Sequence, residues 1–254
     1  MLSDAELLRY SRQIMLPEFD IAAQEKLKAA RVLIVGLGGI GSPVALYLAA
    51  AGVGELVLAD YDTVDASNLQ RQIVHREATI GWSKTQSATA TLQALNAATK
   101  IRSLSAPLNG DNLPALLESV DIVVDGCDNF ITRDAVNTAC VALSKPLISA
   151  AAIGLSAQLA VFDSRQATSP CYRCLYPQAD DVAATCSESG VLASVVGVMG
   201  TLQAHEALKC LSGIGEVLYG RLLLWEADML TWRTLKFSKD PNCPVCGNVN
   251  NEVM

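Results

Sequence analysis

Aromatic residues are scarce in this chain, at 5%, and charged residues make up only 18% of its 254 positions. Soluble domains carry about 25% charge, so a chain this apolar can build a core and is not disordered in bulk. Positive charge is the rarer sign. Nineteen Lys and Arg stand against 26 Asp and Glu, for a net charge of −7. A broad nucleic-acid surface needs many phosphate-neutralising cations, so no nucleic-acid partner is expected, while a local basic pocket for a nucleotide stays open. Histidine is rarer still, with only His75 and His205. The opening MLSDAELLRYSRQ carries Asp4 and lacks the roughly 7–15-residue apolar core of a secretory signal. Long apolar runs are missing too. The most apolar stretch, 190–204, falls short of the roughly twenty residues of a membrane span and reads as a buried helix, so no membrane partner is expected. Neither a repeat nor a Pro/Gly/Ser linker divides the chain, which points to one unit over 1–254.

Cysteine, by contrast, is plentiful, with eight residues. Without a signal segment, these imply a reducing, cytoplasmic setting, where paired cysteines serve metal binding or catalysis rather than disulfides.

Residues 3–30 read as helical, with Ser3 and Glu6 at capping-box spacing and a second helix over 21–30. The run RVLIVG at 31–36 is continuous and β-branched, as a strand buried on both faces should be. Helices are expected at 41–51, 83–96, 113–119 and 133–143, and strands at 55–60, 101–105, 120–126, 146–150 and 157–162. A polar loop comes next over 164–190, then the long helix to about 211 and paired strands at 222–226 and 232–237. Strands alternating with helices over 31–150 imply an α/β fold: a doubly wound, Rossmann-like, mainly parallel sheet with N-terminal helices and an antiparallel C-terminal extension.

Chemistry gathers at the strand ends. GLGGIG at 36–41 is a GxGxxG turn between a strand and a helix, where absent side chains let phosphates approach backbone N–H groups at the helix's positive end. Asp60 closes the next strand about twenty residues on, where a carboxylate accepts from a ribose. NAD would be the default ligand, but hydride chemistry calls for a proton donor that neither histidine is placed to supply. His205 lies on an apolar helix beside Glu206, and His75 comes after a basic, amide-rich segment; both read as structural. Downstream of Asp60 stand instead Ser67, Asn68, Leu69, Gln70 and Arg71, then Lys84, a set suited to polyphosphate oxygens. The strand at 120–126 then delivers Asp125, Cys127, Asp128 and Asn129. Of the two carboxylates, Asp128 at the loop tip is the better Mg²⁺ ligand.

Cys171/Cys174 and Cys243/Cys246 form two CxxC knuckles separated by 175–242. Each presents two thiolates, and together they make a four-cysteine zinc site that would staple the C-terminus to the body. Cys127, Cys140 and Cys210 fall in or near apolar elements and read as packing residues. Cys186, in a polar stretch before the long helix, has the setting of a nucleophilic thiol or of a bystander.

The sequence RYSRQ, GLGGIGS, AGVGELVLAD, SNLQRQ, Lys84, DGCDN, CYRC, TCSESGV, GVMGTLQAHEALK and CPVCG, in this order, resembles the MoeB/ThiF family, bacterial relatives of ubiquitin-activating enzymes, over nearly the whole chain. The resemblance implies a homodimeric adenylyltransferase. The C-terminal glycine carboxylate of a ubiquitin-like sulfur carrier ending in Gly-Gly attacks the α-phosphate of ATP, giving an acyl-adenylate and pyrophosphate. The carrier would be the MoaD-like subunit of molybdopterin synthase; AIGLS at 152–156 departs from that branch and keeps the ThiS carrier of the thiamine pathway as an alternative. The resemblance puts Gly39 and Asp60 on the nucleotide, Ser67, Asn68, Leu69, Gln70, Arg71 and Lys84 around the phosphates, and Asp128 on Mg²⁺ beside Asn129. It makes Arg12 a cation supplied from the second subunit, Cys171, Cys174, Cys243 and Cys246 the Zn²⁺ ligands, and Cys186 the counterpart of a cysteine that forms a covalent carrier or persulfide intermediate in some relatives. Sulfur would arrive from a separate donor protein. On this reading 1–30 is a helical arm, 31–163 the nucleotide-binding core and 164–254 the carrier-docking and zinc region. The chemistry agrees: both reactants are anions, so positioning and charge neutralisation carry catalysis. A carboxylate already ionised at pH 7 needs no general base.

Overall fold

Four of the five residues of β1 (Arg31–Val35) are buried, as its unbroken β-branched run requires. The computed structural model to which it belongs describes residues 1–177 and 190–247. Strands β2 (Glu55–Ala59) and β4 (Ile122–Asp125) flank β1 in parallel, with β3 (Lys100–Leu104) outside β2 and β5 (Leu147–Ile153) outside β4. The order runs β3-β2-β1-β4-β5, and then β6 (Ser156–Phe162), β7 (Arg221–Glu226) and β8 (Thr231–Lys236) extend the same sheet antiparallel. The chain leaves β1 toward one edge and returns at β4 on the other side. A crevice therefore opens at the carboxyl ends of β1 and β4, where open α/β sheets bind ligands.

Helices cover both faces. Helix α4 (Gly41–Ala50) and the long helix α9 (Ala193–Ser212) bury Leu48, Val195 and Met199 with Leu56 and Leu58 on one side. Helices α6 (Leu113–Glu118) and α7 (Phe130–Ala142) bury Leu117 and Val136 with Leu33 and Val123 on the other. α9 approaches α4 closely because Gly200 has no side chain: a Cβ there would lie 2.3 Å from the Ile40 carbonyl oxygen. Helix α5 (Lys84–Leu95) starts at the Ser83 cap, and α8 (Tyr172–Leu175) is a single helical turn inside the stretch 164–190 expected to be a loop.

Three boundaries differ from the sequence reading. The N-terminal helical stretch is three pieces, α1 (Asp4–Arg9), α2 (Ser11–Ile14) and α3 (Asp20–Ala29). The expected Ser3–Glu6 capping box starts α1. Pro17, which has no N–H to donate, lies in the break before α3, and the Asp20 carboxylate accepts from the Ala23 N–H at 2.9 Å as α3 begins. Helix α7 begins at Phe130, not 133, because the Asn129 side chain caps it by accepting from the Thr132 N–H at 2.8 Å. Strands β5 and β6 run longer than expected and pair as a hairpin turning at Gly154, whose φ is 58°.

Candidate functional site

A cavity of about 280 Å³ opens at the carboxyl ends of the parallel strands. Its floor is the glycine turn. Gly36 has φ 84°, a left-handed conformation that side chains oppose, and it allows the chain to double back against Gly126. Gly39 faces helix α9, and a Cβ on it would lie 2.7 Å from Cγ2 of Val196.

Asp60 stands just past β2. Its Oδ2 accepts from the Leu37 N–H at 2.7 Å and its Oδ1 from the Asp62 N–H at 2.9 Å, which ties the strand end to the glycine turn. Burial pushes its carboxyl above the usual range, opposed by the nearby Lys84 charge. Lys84 is the first residue of α5, and its ammonium lies 2.8 Å from Oδ2 of Asp62. Arg71 lines the wall and donates to the Ser67 carbonyl at 3.1 Å. Asp128 and Asn129 complete the rim from the loop after β4. Among the described residues, none of the ion pairs involves the Asp128 carboxylate.

Asp125, three residues earlier, is committed elsewhere. Its Oδ2 accepts from Ser149 Oγ at 2.8 Å and lies 3.5 Å from the Arg133 guanidinium, and its Oδ1 accepts from the Cys127 N–H at 3.0 Å. Arg133 also donates to the carbonyls of Cys127 and Ala150. The pair is buried and fixes the backbone from which Asp128 projects. Cys127 lines the cavity, and desolvation pushes its thiol well above its usual range, which disfavours the thiolate. Cys140 is buried and its pKa is raised in the same way.

The cavity thus gathers Gly39, Asp60, Arg71, Lys84, Asp128 and Asn129. It does not gather Ser67, Asn68, Leu69 and Gln70, which fall outside its lining. Ser67 and Asn68 instead build a short 3-10 turn with Asp65, whose carboxylate accepts from Ser67 Oγ at 2.6 Å. Arg12 is exposed on α2, away from the lining. Cys186 lies outside the described residues. His205 is exposed, and His75 is buried in hydrogen bonds. Sequence reasoning passed over Asp62 and Arg133, while Gln72, the last residue of SNLQRQ, lines the cavity. Asp62 carried a faint signal, a second carboxylate two residues past Asp60; Arg133 carried none beyond its place at the start of an expected helix.

Away from this cavity, the Sγ atoms of Cys171, Cys174, Cys243 and Cys246 all lie within 4.8 Å of one another. Cys171 and Cys243 are 3.6 Å apart and Cys174 and Cys246 are 3.4 Å apart. A tetrahedral zinc with Zn–S bonds of about 2.3 Å separates its sulfurs by roughly 3.8 Å, so the cluster fits that ion. Asn137 Nδ2 and the Asp240 N–H donate to Cys171 and Cys174, the kind of hydrogen bond that orients and steadies thiolates around a metal.

Residues 10–245 match the ThiF family. The chain belongs to the ThiF family. It is 46% identical over 246 residues to molybdopterin-synthase adenylyltransferase of Escherichia coli (strain K12), covering 97% of this chain and 98% of that protein. It is also 46% identical over 248 residues to adenylyltransferase and sulfurtransferase MOCS3 of Anopheles gambiae, where the match covers 96% of this chain and 56% of the longer protein. Among solved structures, E. coli MccB with MccA-N7isoAsn superposes with a TM-score of 0.82 at 27% identity, over 94% of this chain and 75% of that one. Among the described residues, no helix is long and apolar enough to cross a membrane.

Proposed function

We propose that this protein adenylylates the C-terminal glycine carboxylate of a ubiquitin-like, MoaD-type sulfur carrier with ATP, releasing pyrophosphate and priming the carrier for thiocarboxylation in molybdenum cofactor biosynthesis. The observation that carries the reading is the meeting of Asp60, Arg71, Lys84 and Asp128 around one cavity floored by the glycine turn. The names of the relatives, adenylyltransferases of molybdopterin synthase and MOCS3 proteins, support the same chemistry.

Asp60 accepts from the ribose hydroxyls, and the backbone N–H groups at Gly38 and Gly39 face the phosphates. Arg71 and Lys84 neutralise the phosphate oxygens as the carrier's carboxylate approaches, which lowers the repulsion between the two anions. The Lys84 ammonium has three N–H donors, so one can turn to substrate while another stays on Asp62. Asp128, whose hard oxygens suit Mg²⁺, would hold that ion; when bound it supplies further positive charge against the phosphates. A homodimer would bring Arg12 of one protomer to the cavity of its partner. Ser67, Asn68, Leu69 and Gln70 then act by shaping the turn that carries Arg71. The four clustered cysteines hold Zn²⁺ as a structural staple. Cys186 is not needed for adenylylation, and a separate donor protein delivers sulfur.

ATP–pyrophosphate exchange tests this. Exchange should appear only with a carrier ending in Gly-Gly, vanish in Asp128→Ala with the fold retained, and persist in Cys186→Ala. No exchange with any Gly-Gly carrier of the same cell would refute the reading.

A further inference from the structure

His75 plays no part in the chemistry above, yet it is buried and both ring nitrogens are engaged. Nε2 lies 3.1 Å from the Leu37 carbonyl oxygen and Nδ1 3.0 Å from Ser87 Oγ. Because the carbonyl can only accept, Nε2 carries the proton and Nδ1 accepts from the Ser87 hydroxyl. Leu37 lies inside the glycine turn, and Ser87 is one turn along α5 from Lys84.

The far side of Leu37 is fixed as well. Its N–H donates to Asp60, Asp60 accepts from the Asp62 N–H, and Asp62 pairs with Lys84 at 2.8 Å. The contacts close into a ring: Leu37, Asp60, Asp62, Lys84, the first turn of α5, Ser87, His75 and back to Leu37. On one side of the Leu37 peptide the ring runs through polar groups on the cavity wall. On the other it runs through the buried imidazole, which burial keeps neutral by lowering its pKa to about 4.

We infer that His75 is a positioning residue for nucleotide binding, closing the ring that sets the spacing between the glycine turn and the Lys84 ammonium. The inference rests on the ATP-binding reading above. Opening the ring at His75 removes no nucleotide-facing group but frees the turn to move relative to Lys84, so ATP affinity falls while 164–254, the segment assigned to carrier docking, keeps its sequence.

Calorimetric titration of the full chain with Mg-ATP, alongside binding of a Gly-Gly carrier, decides it. His75→Leu keeps the bulk and loses both hydrogen bonds, so its Kd for ATP should rise about tenfold with carrier affinity unchanged. His75→Gln, whose amide donates near the Nε2 position, should recover much of that loss. Should His75→Leu fold poorly, Ser87→Ala opens the ring by removing a single oxygen and should weaken ATP binding in the same direction. Wild-type ATP affinity in folded His75→Leu and Ser87→Ala would overturn the inference, as would equal losses in the Leu and Gln variants. If the wild-type protein itself fails to bind ATP, the proposed function is what falls.

Discussion

Three glycines of one motif should respond differently to the same added methyl group. A Cβ on Gly38 would meet only Gln72 Nε2, at 3.8 Å, an ordinary contact. Gly38→Ala should therefore change stability by less than about 1 kcal/mol. A Cβ on Gly39 would come within 2.7 Å of Val196 Cγ2 and 3.0 Å of its Cβ, so the side chain or α9 must shift. Overpacking of this kind costs about 1–3 kcal/mol. A Cβ on Gly41 would lie 1.9 Å from the Gly36 carbonyl oxygen. That neighbour is backbone and cannot rotate away, so the turn must open and strain the Ser42 N–H bond to the Gly38 carbonyl, now 2.9 Å. Alanine normally favours a helix over glycine by about 1 kcal/mol, yet Gly41→Ala should cost more than about 3 kcal/mol. Urea unfolding of the three variants should rank them in that order. Val196→Ala adds a decisive check. Alone it loses about 1.5–3 kcal/mol by removing buried methyl groups, but it vacates the space the Gly39→Ala methyl needs. The double variant should be less destabilised than the sum of the singles by about 1 kcal/mol or more. Costs that add within about 0.5 kcal/mol, or equal losses in Gly38→Ala and Gly41→Ala, would refute the packing described for this turn.

Arg133→Met leaves Asp125 buried without its cation and should cost about 3–5 kcal/mol in denaturant unfolding. Adding Asp125→Asn should recover part of the loss, because the unpaired charge disappears. Chelation of zinc, or Cys243→Ser, should release the link between the two knuckles and lower the melting temperature, with metal content by mass spectrometry falling in step. Stability should also depend on pH through His75, whose pKa is lowered from 6.5 to about 4 in the fold. The unfolded chain takes up this proton first, so stability is full above about pH 6.5 and declines as pH falls toward 4, by at most about 3 kcal/mol. In His75→Gln, the slope of unfolding free energy against pH in that window should flatten, and an unchanged slope would mean another group dominates there.

Much of the molecule was legible without coordinates. The β-branched run of β1, the glycine turn and the Ser3 cap are local signals, written in neighbours a few residues apart, and β1 and the start of α1 form within a residue or two of expectation. The two CxxC knuckles were legible for a related reason: each is a two-thiolate unit, and two such units suffice for one tetrahedral ion. The choice between Asp125 and Asp128 rested on position alone, one at the strand end and one at the loop tip.

Distance along the chain separates what was readable from what was not. Composition and periodicity determined a parallel sheet with a glycine-rich turn after β1 and Asp60 just past β2, because these depend on which backbone conformations and burials each short segment tolerates. Only the folded chain decided that Asp125 belongs to Ser149 and Arg133 and that Ser67 through Gln70 fall outside the cavity lining. It also decided that Lys84 is held by Asp62, and that His75 bridges Leu37 to Ser87 across 38 and 12 positions. These are pairings between elements. Their partners are chosen by sheet order and helix placement, and no local pattern encodes which distant group will arrive to satisfy a buried donor or charge.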